Sequence, residues 1–190
     1  FWVRCGRCAR VGVVGSPQTL SEADRRTVAL WAADCAERVL PLFEAEAPSD
    51  GRPADAIARA RAFGRGELDA AGQIRQRFVA GRAAGALTGP AAVASARSAA
   101  QASGVAHMGA HALGAAAYAA KAAGLASGDD TAIDAEISWQ LAHMTEPVRT
   151  ALRQLPPRGE DPAGPLGSGL LASGVLGSII RKLQAGLALG

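Results

Sequence analysis

From Ser98 to Ala120 the chain carries no Asp, Glu, Lys or Arg, and most of its positions are alanine or glycine. Its polar side chains are few: Ser98, Gln101, Ser103, His107, His111 and Tyr118. Alanine is the strongest helix former but buries little area per residue, so such a run must pack closely against neighbouring helices. The run is long enough to cross a bilayer. Its alanine, glycine, serine and histidine content makes it a weak insertion candidate, so we expect a buried helix and no stable membrane insertion. The whole chain is 49% hydrophobic but only 4% aromatic. That excludes a β-sandwich core, which needs more valine, isoleucine and aromatic residues. The expected class is all-α, a single bundle of about five to seven helices. Its centre is a long Ala-rich helix over 91–124, with Ser103-Gly104 as the point where it would divide in two.

Flanking segments fit this frame. Ser21 is placed to cap a helix, with Asp24 in the capping-box position. The following helix carries Val28, Trp31, Cys35, Val39 and Leu42/Phe43 as one apolar stripe. Pro41 is expected to kink or end it near Leu40. After a loop at 47–53, a helix carrying Ile57, Ala60 and Phe63 begins near Pro53 and breaks at Gly64 and Gly66. A third is expected from Leu68 to Leu87, with Ile74, Phe78 and Val79 inward and Arg75 and Arg82 outward. SGDD at 127–130 offers a turn and an N-cap for a helix from Asp130 to Met144. Pro147 starts a short one that ends before Pro156. Residues 1–19 read as a disordered or non-native extension, 20–155 as the helical domain, 156–168 as a Pro/Gly linker, and 169–190 as an apolar tail that can be written as a helix.

The charge map limits the function classes. The pI is about 9.1, which invites a nucleic-acid reading. Cations and acids balance from 21 to 158, however, and the net +3 comes from Arg4, Arg7 and Arg10. A neutral domain with a short basic arm does not make a phosphate-binding surface, so no nucleic-acid partner is expected. Residues 52–97 are locally basic and 129–146 acidic. That polarity suits either complementary helix faces or a partner surface of one sign. Cys5 and Cys8 form a C-x-x-C with no second pair, and Cys35 sits in an apolar helix stripe. These cysteines offer neither a disulfide framework nor a zinc set, which suits a reducing cytoplasm.

His107 and His111 also have metal-ligand spacing. On a continuous helix they lie about 40° apart, with Ser103, Gly114, Tyr118 and Lys121 on the same face. Val105, Gly109, Ala112, Ala116 and Ala120 lie opposite. The zinc-protease pattern needs glutamate after the first histidine, and Met108 stands there. Three readings stay open: hydrogen-bonded structural histidines, a partner or ligand surface, or a metal site. A His107/His111/Tyr118 pocket, as in a helical enzyme or ligand-binding protein, needs a cavity on which His143 or a carboxylate converges. No G-x-S-x-G, activated cysteine or paired carboxylates point to catalysis. No cofactor, no enzymatic activity and no catalytic residue are expected. In RAFGRGE, Arg61 and Arg65 sit one turn apart with Glu67 beyond, suited to an internal pair or to a contact on a partner. Trp139, like Trp31, sits at a helix-period position, suited to the core or to a binding hot spot.

Three segments in order resemble one bacterial family: residues 20–67, HMGAHALGAAAYAAKAA at 107–123, and the acidic helix ending WQLAHM at 139–144. The resemblance is to the immunity-family-five-like proteins of polymorphic toxin systems, over roughly 20–155. Its signature positions here are Trp31, Pro41, Phe43, Arg61, Arg65, Gly66, Glu67, His107, His111, Ala117 and Tyr118. It implies an all-helical, non-enzymatic protein that binds and neutralises a cognate protein toxin. The candidate partner-binding or structural residues are therefore Arg61, Arg65, Glu67, His107, His111, Tyr118 and Trp139.

Overall fold

The computed structural model describes residues 16–72 and 79–189. Among these, every regular element is helical. In chain order they are α1 (Glu22–Glu44), α2 (Arg52–Gly64), α3 (Val79–Ala83), α4 (Pro90–Gly104), α5 (His111–Ser127), α6 (Asp130–Ala142), α7 (Glu146–Arg153) and α8 (Gly174–Leu189). Short 3-10 turns occupy Pro17–Thr19, Ala84–Ala86 and Leu170–Ala172.

Local chemistry explains most boundaries. The Ser21 hydroxyl accepts from the Asp24 amide at 3.1 Å and donates to the Asp24 carboxylate at 2.7 Å. Pro41 does not end α1, which runs on to Glu44. One missing donor is outweighed there by Phe43, fully buried beyond it, and by the Ala45 amide bonding to the Pro41 carbonyl. Asp129 caps α6 through the Thr131 amide. Gly128 closes α5 at φ 70°, a left-handed conformation that favours glycine. Of the helix expected from Leu68 to Leu87, residues 70–72 and Val79–Ala83 are helical, and a 3-10 turn follows at Ala84–Ala86. Ile74, Arg75 and Phe78 lie outside the described residues.

The long central helix is not continuous. It divides into α4 and α5 around a turn at 105–110, close to the expected weak point. The Gly104 carbonyl takes both the His107 and Met108 amides, which reverses the chain. The His111 ring then sits where a Cβ on Gly104 would be, 2.9 Å from the ring carbon. The turn leaves amide donors at the start of α5 without helical partners. The Thr19 and Gln18 carbonyls accept from Gly109 and Ala110, each at 3.0 Å.

The two halves then fold back antiparallel. His111 meets Gln101, Ala115 meets Ser98, and Tyr118 meets Arg97. The Ser98 hydroxyl donates to the Ala115 carbonyl at 2.8 Å, and Ser95 to the Val39 carbonyl at 2.7 Å. Both serines are buried, so these bonds supply the partners that burial demands. Ala94, Ala99, Ala102, Ala112, Ala115, Ala116 and Ala119 of the two helices are all buried. Alpha-carbon-close packing is what alanine permits and larger side chains forbid. Helix α1 crosses α4 and α5, α2 lies against α1 and α4, and α6 and α8 cover α5.

Residues 16–19, expected within an unstructured lead, are instead locked in place. Gln18 is fully buried. Its amide donates to the Asp161 carbonyl at 2.9 Å and accepts from the Leu166 amide at 2.8 Å. Ser16 donates to the Asp161 carboxylate at 2.6 Å. One glutamine thus joins the chain's 16–19 turn to the 159–168 loop. Residues 1–15, including Cys5 and Cys8, lie outside the described residues.

The apolar tail forms α8 and buries Leu176, Ile179, Ile180, Leu183 and Leu187. Arg153 donates to the Leu187 carbonyl and Gln184 to that of Pro156. A Cβ on Gly177 would lie 2.5 Å from the Ala172 carbonyl group, a backbone atom pair that cannot swing aside. Gly177→Ala is therefore expected to destabilise by about 1–3 kcal/mol through overpacking, and to speed proteolysis at 156–173. Unchanged melting and cleavage would show that α8 is not seated as described. Among the described residues, no helix is long and apolar enough to cross a membrane.

Candidate functional site

The sequence-predicted residues do not gather at one place. Arg61, Arg65, Glu67 and Trp139 share one face, built from α1, α2 and α6. On α1, Asp34 and Arg38 are one turn apart and Glu37 lies beside them. Arg61 of α2 reaches across to donate to Glu37 at 2.6 Å and 2.5 Å and to Asp34 at 2.7 Å. These bonds hold the Glu37 carboxyl below its ordinary value and raise the Arg61 guanidinium, with Glu37 the larger cause and Asp34 the second. One turn on, Arg65 clamps Glu67 with two bonds, 2.6 Å and 2.8 Å, and lowers that carboxyl too.

On the other side of α1, Arg38 holds Glu136 of α6 through both carboxylate oxygens at 3.1 Å and 3.0 Å. Glu136 is 5% exposed, so its charge needs this partner. The guanidinium also lies 3.8 Å from the Trp139 ring centroid. The His143 ring stacks on the same tryptophan, with centroids 4.0 Å apart and planes 20° apart. His143 Nδ1 bonds to the Trp139 carbonyl at 2.8 Å. Trp139 is half-buried and His143 exposed.

Beneath this strip the framework is buried and hydrogen-bonded. Trp31 donates from its indole nitrogen to the Gln140 carbonyl at 3.1 Å. The Gln140 amide donates to the Ala116 carbonyl and to Glu136, both at 3.1 Å. Trp31 is thus the core tryptophan and Trp139 the surface one. Cys35 lies fully buried below. Its thiol is pushed well up, first by loss of solvent, then by Glu136 and Asp34, against a smaller opposing pull from Arg38.

That thiol has a measurable consequence. Above the unfolded thiol value near 9, the unfolded chain gives up a proton that the folded chain keeps. Stability is therefore lost as pH rises from there towards the folded value, at up to about 1.4 kcal/mol per pH unit. Tyr118, also raised chiefly by burial, adds a loss of the same sign at higher pH. We expect Cys35→Ala to flatten the urea-unfolding stability profile between pH 8.5 and 10. An identical slope in wild type and variant would rule the thiol out.

The predicted His107/His111/Tyr118 pocket does not form. His107 lies in the 105–110 turn and not on a helix shared with His111, so the 40° face relation fails. His111 opens α5 and bonds to Gln101 at 2.8 Å. Tyr118 sits two turns on, about 10 Å along the axis, under Arg97, whose guanidinium is 5.9 Å from the ring centroid. His143 is away on α6, against Trp139. Among the described residues, no group of three or more His, Cys, Asp or Glu side chains is placed to hold a metal ion.

Reading the sequence alone passed over Arg38, Asp34 and Glu37 as partners. The i, i+4 pair Asp34/Arg38 is visible in the sequence. Its coupling to α2 and α6 depends on helix order in space, which spacing along one helix does not encode.

Comparison with known proteins adds one result. No curated protein and no solved structure matches the chain. The family described as "Imm-5 like putative immunity protein" matches residues 18–147. The matched span runs from buried Gln18 to the start of α7, and it contains the whole α1/α2/α6 face. The chain therefore belongs to the Imm-5 like immunity protein family.

Proposed function

We propose that this chain neutralises a cognate bacterial toxin by stoichiometric binding, with no enzymatic turnover, through the face formed by α1, α2 and α6. Family membership supplies the general role. The observation that carries the assignment of the face is Trp139. It is a large aromatic side chain, half-buried, already stacked against Arg38 and His143. An aromatic anchor whose rotamer is fixed before binding loses little entropy on docking, and tryptophan and arginine dominate binding hot spots.

The surrounding charges support this reading. Arg61, Asp34, Glu37, Arg65 and Glu67 are paired among themselves. Exposed pairs of this kind add little to stability. They do fix the direction in which each polar group points, which favours a partner of matching pattern over others.

The test is co-expression with the neighbouring toxin gene. Rescue of growth, with a 1:1 complex on sizing chromatography, supports the proposal. Toxicity unrelieved by the chain, with no complex formed, overturns it.

A further inference from the structure

On a different surface, the outer edge of the α4/α5 seam opens into a groove of about 260 Å³. Its apolar walls are Val93, Ala94, Leu125 and the ring of Tyr118, and Arg97 and Lys121 stand at its rim. Leu125 is 41% exposed, one of the few large apolar side chains left open to solvent. The groove is unenclosed and smaller than the roughly 300–1,000 Å³ of small-molecule sites. That size suits one or two side chains of a protein partner.

The cations at the rim differ from those that the fold pairs with an acid. Arg26, Arg38, Arg52, Arg61, Arg65, Arg153 and Lys182 each hold a carboxylate. Among the described residues, neither Arg97 nor Lys121 does. Arg97 instead lies over the Tyr118 ring. The acids at the two ends of the seam are already engaged. Glu46 accepts from the Thr88 and Gly89 amides at the start of α4, and Asp129 caps Thr131 beyond the end of α5. Two positive charges that hold no carboxylate among the described residues thus flank an open apolar floor.

We propose that this groove is a second docking point, one that receives a toxin segment presenting a carboxylate beside an apolar side chain. The carboxylate meets Arg97 and Lys121, and the apolar group covers Leu125 and Val93. This rests on the reading of the chain as a toxin-binding protein.

The test compares toxin affinity for wild type, Arg97→Glu, Lys121→Glu and Arg97→Lys by calorimetry at two salt concentrations, with melting curves as the folding check. Each charge reversal is expected to weaken binding by about 10- to 100-fold with melting unchanged, while Arg97→Lys keeps most of the affinity. Wild-type binding left equal in both reversals would overturn the groove alone and leave the toxin-binding reading standing. No wild-type binding would overturn both. Sedimentation provides the remaining arm: self-association of the wild type, abolished by Arg97→Glu, would assign the groove to a second copy and overturn the toxin segment.

Discussion

Phe63→Ala is expected to lower folding stability by about 3–5 kcal/mol, the range for deleting a fully buried phenylalanine. Phe63 lies in the last turn of α2 and has no solvent exposure. The Arg26 guanidinium lies 4.6 Å from its ring centroid and donates to its carbonyl, and to that of Leu68. Removing the ring leaves this arginine above a void. The cost should fall towards the high end because so much of the core is alanine. A leucine or methionine neighbour can change rotamer to fill part of a cavity; an alanine cannot, so only backbone movement would close it. A domain of ordinary stability holds about 5–15 kcal/mol in total, so the variant would stand near its unfolding threshold. Urea titration at 25 °C measures the loss. Phe63→Leu should cost markedly less, because it keeps most of the volume. A loss below about 1 kcal/mol in Phe63→Ala would mean that the end of α2 is not packed as described.

The same alanine content decides what could be read in advance. All-helical class, the Ser21 cap, the Asp129 cap and the weak point at Ser103-Gly104 are local signals, and the structure carries all four. Periodicity failed at 105–110 because a helix wheel assumes that the helix continues. Two histidines four residues apart looked like one face, yet the chain turns between them. What favours the turn is non-local: the Gln18 and Thr19 carbonyls arrive from the start of the chain to take the Gly109 and Ala110 amides. At Pro41 a kink or an end is expected, and α1 does not end there but runs on to Glu44. The local penalty of proline is real, but burial of Phe43 two residues later overrides it. The binding face was half legible. Arg61, Arg65, Glu67 and Trp139 stood out by residue type, whereas Arg38 gains its role only because α6 returns alongside α1. The basic stretch 52–97 and the acidic stretch 129–146 find their partners elsewhere: Arg52, Arg61 and Arg65 pair with Asp50, Asp34, Glu37 and Glu67, and Asp134, Glu136 and Glu146 with Lys182, Arg38 and Arg153.

Trp139→Ala is expected to weaken toxin binding by roughly 30- to 1,000-fold, the effect of about 2–4 kcal/mol at a central aromatic hot spot. Its effect on folding should be smaller, because the side chain is incompletely buried and Glu136 keeps Arg38 in place through two hydrogen bonds. The two effects separate cleanly in a pair of measurements, affinity by calorimetry and stability by urea titration. Trp139→Phe provides the control. A phenyl ring preserves a stacking face for Arg38 and His143 at smaller area, so it should retain most of the affinity that alanine loses. Trp139→Leu divides the contribution further, since leucine covers the apolar area without a π face for the guanidinium. If alanine and leucine lose equally while phenylalanine holds, the stack itself organises the anchor. If leucine matches phenylalanine, buried area alone explains the contact. Wild-type affinity in Trp139→Ala would remove this face from the interface altogether, and the search would move to the α4/α5 groove, where Arg97 and Lys121 stand ready for the opposite charge.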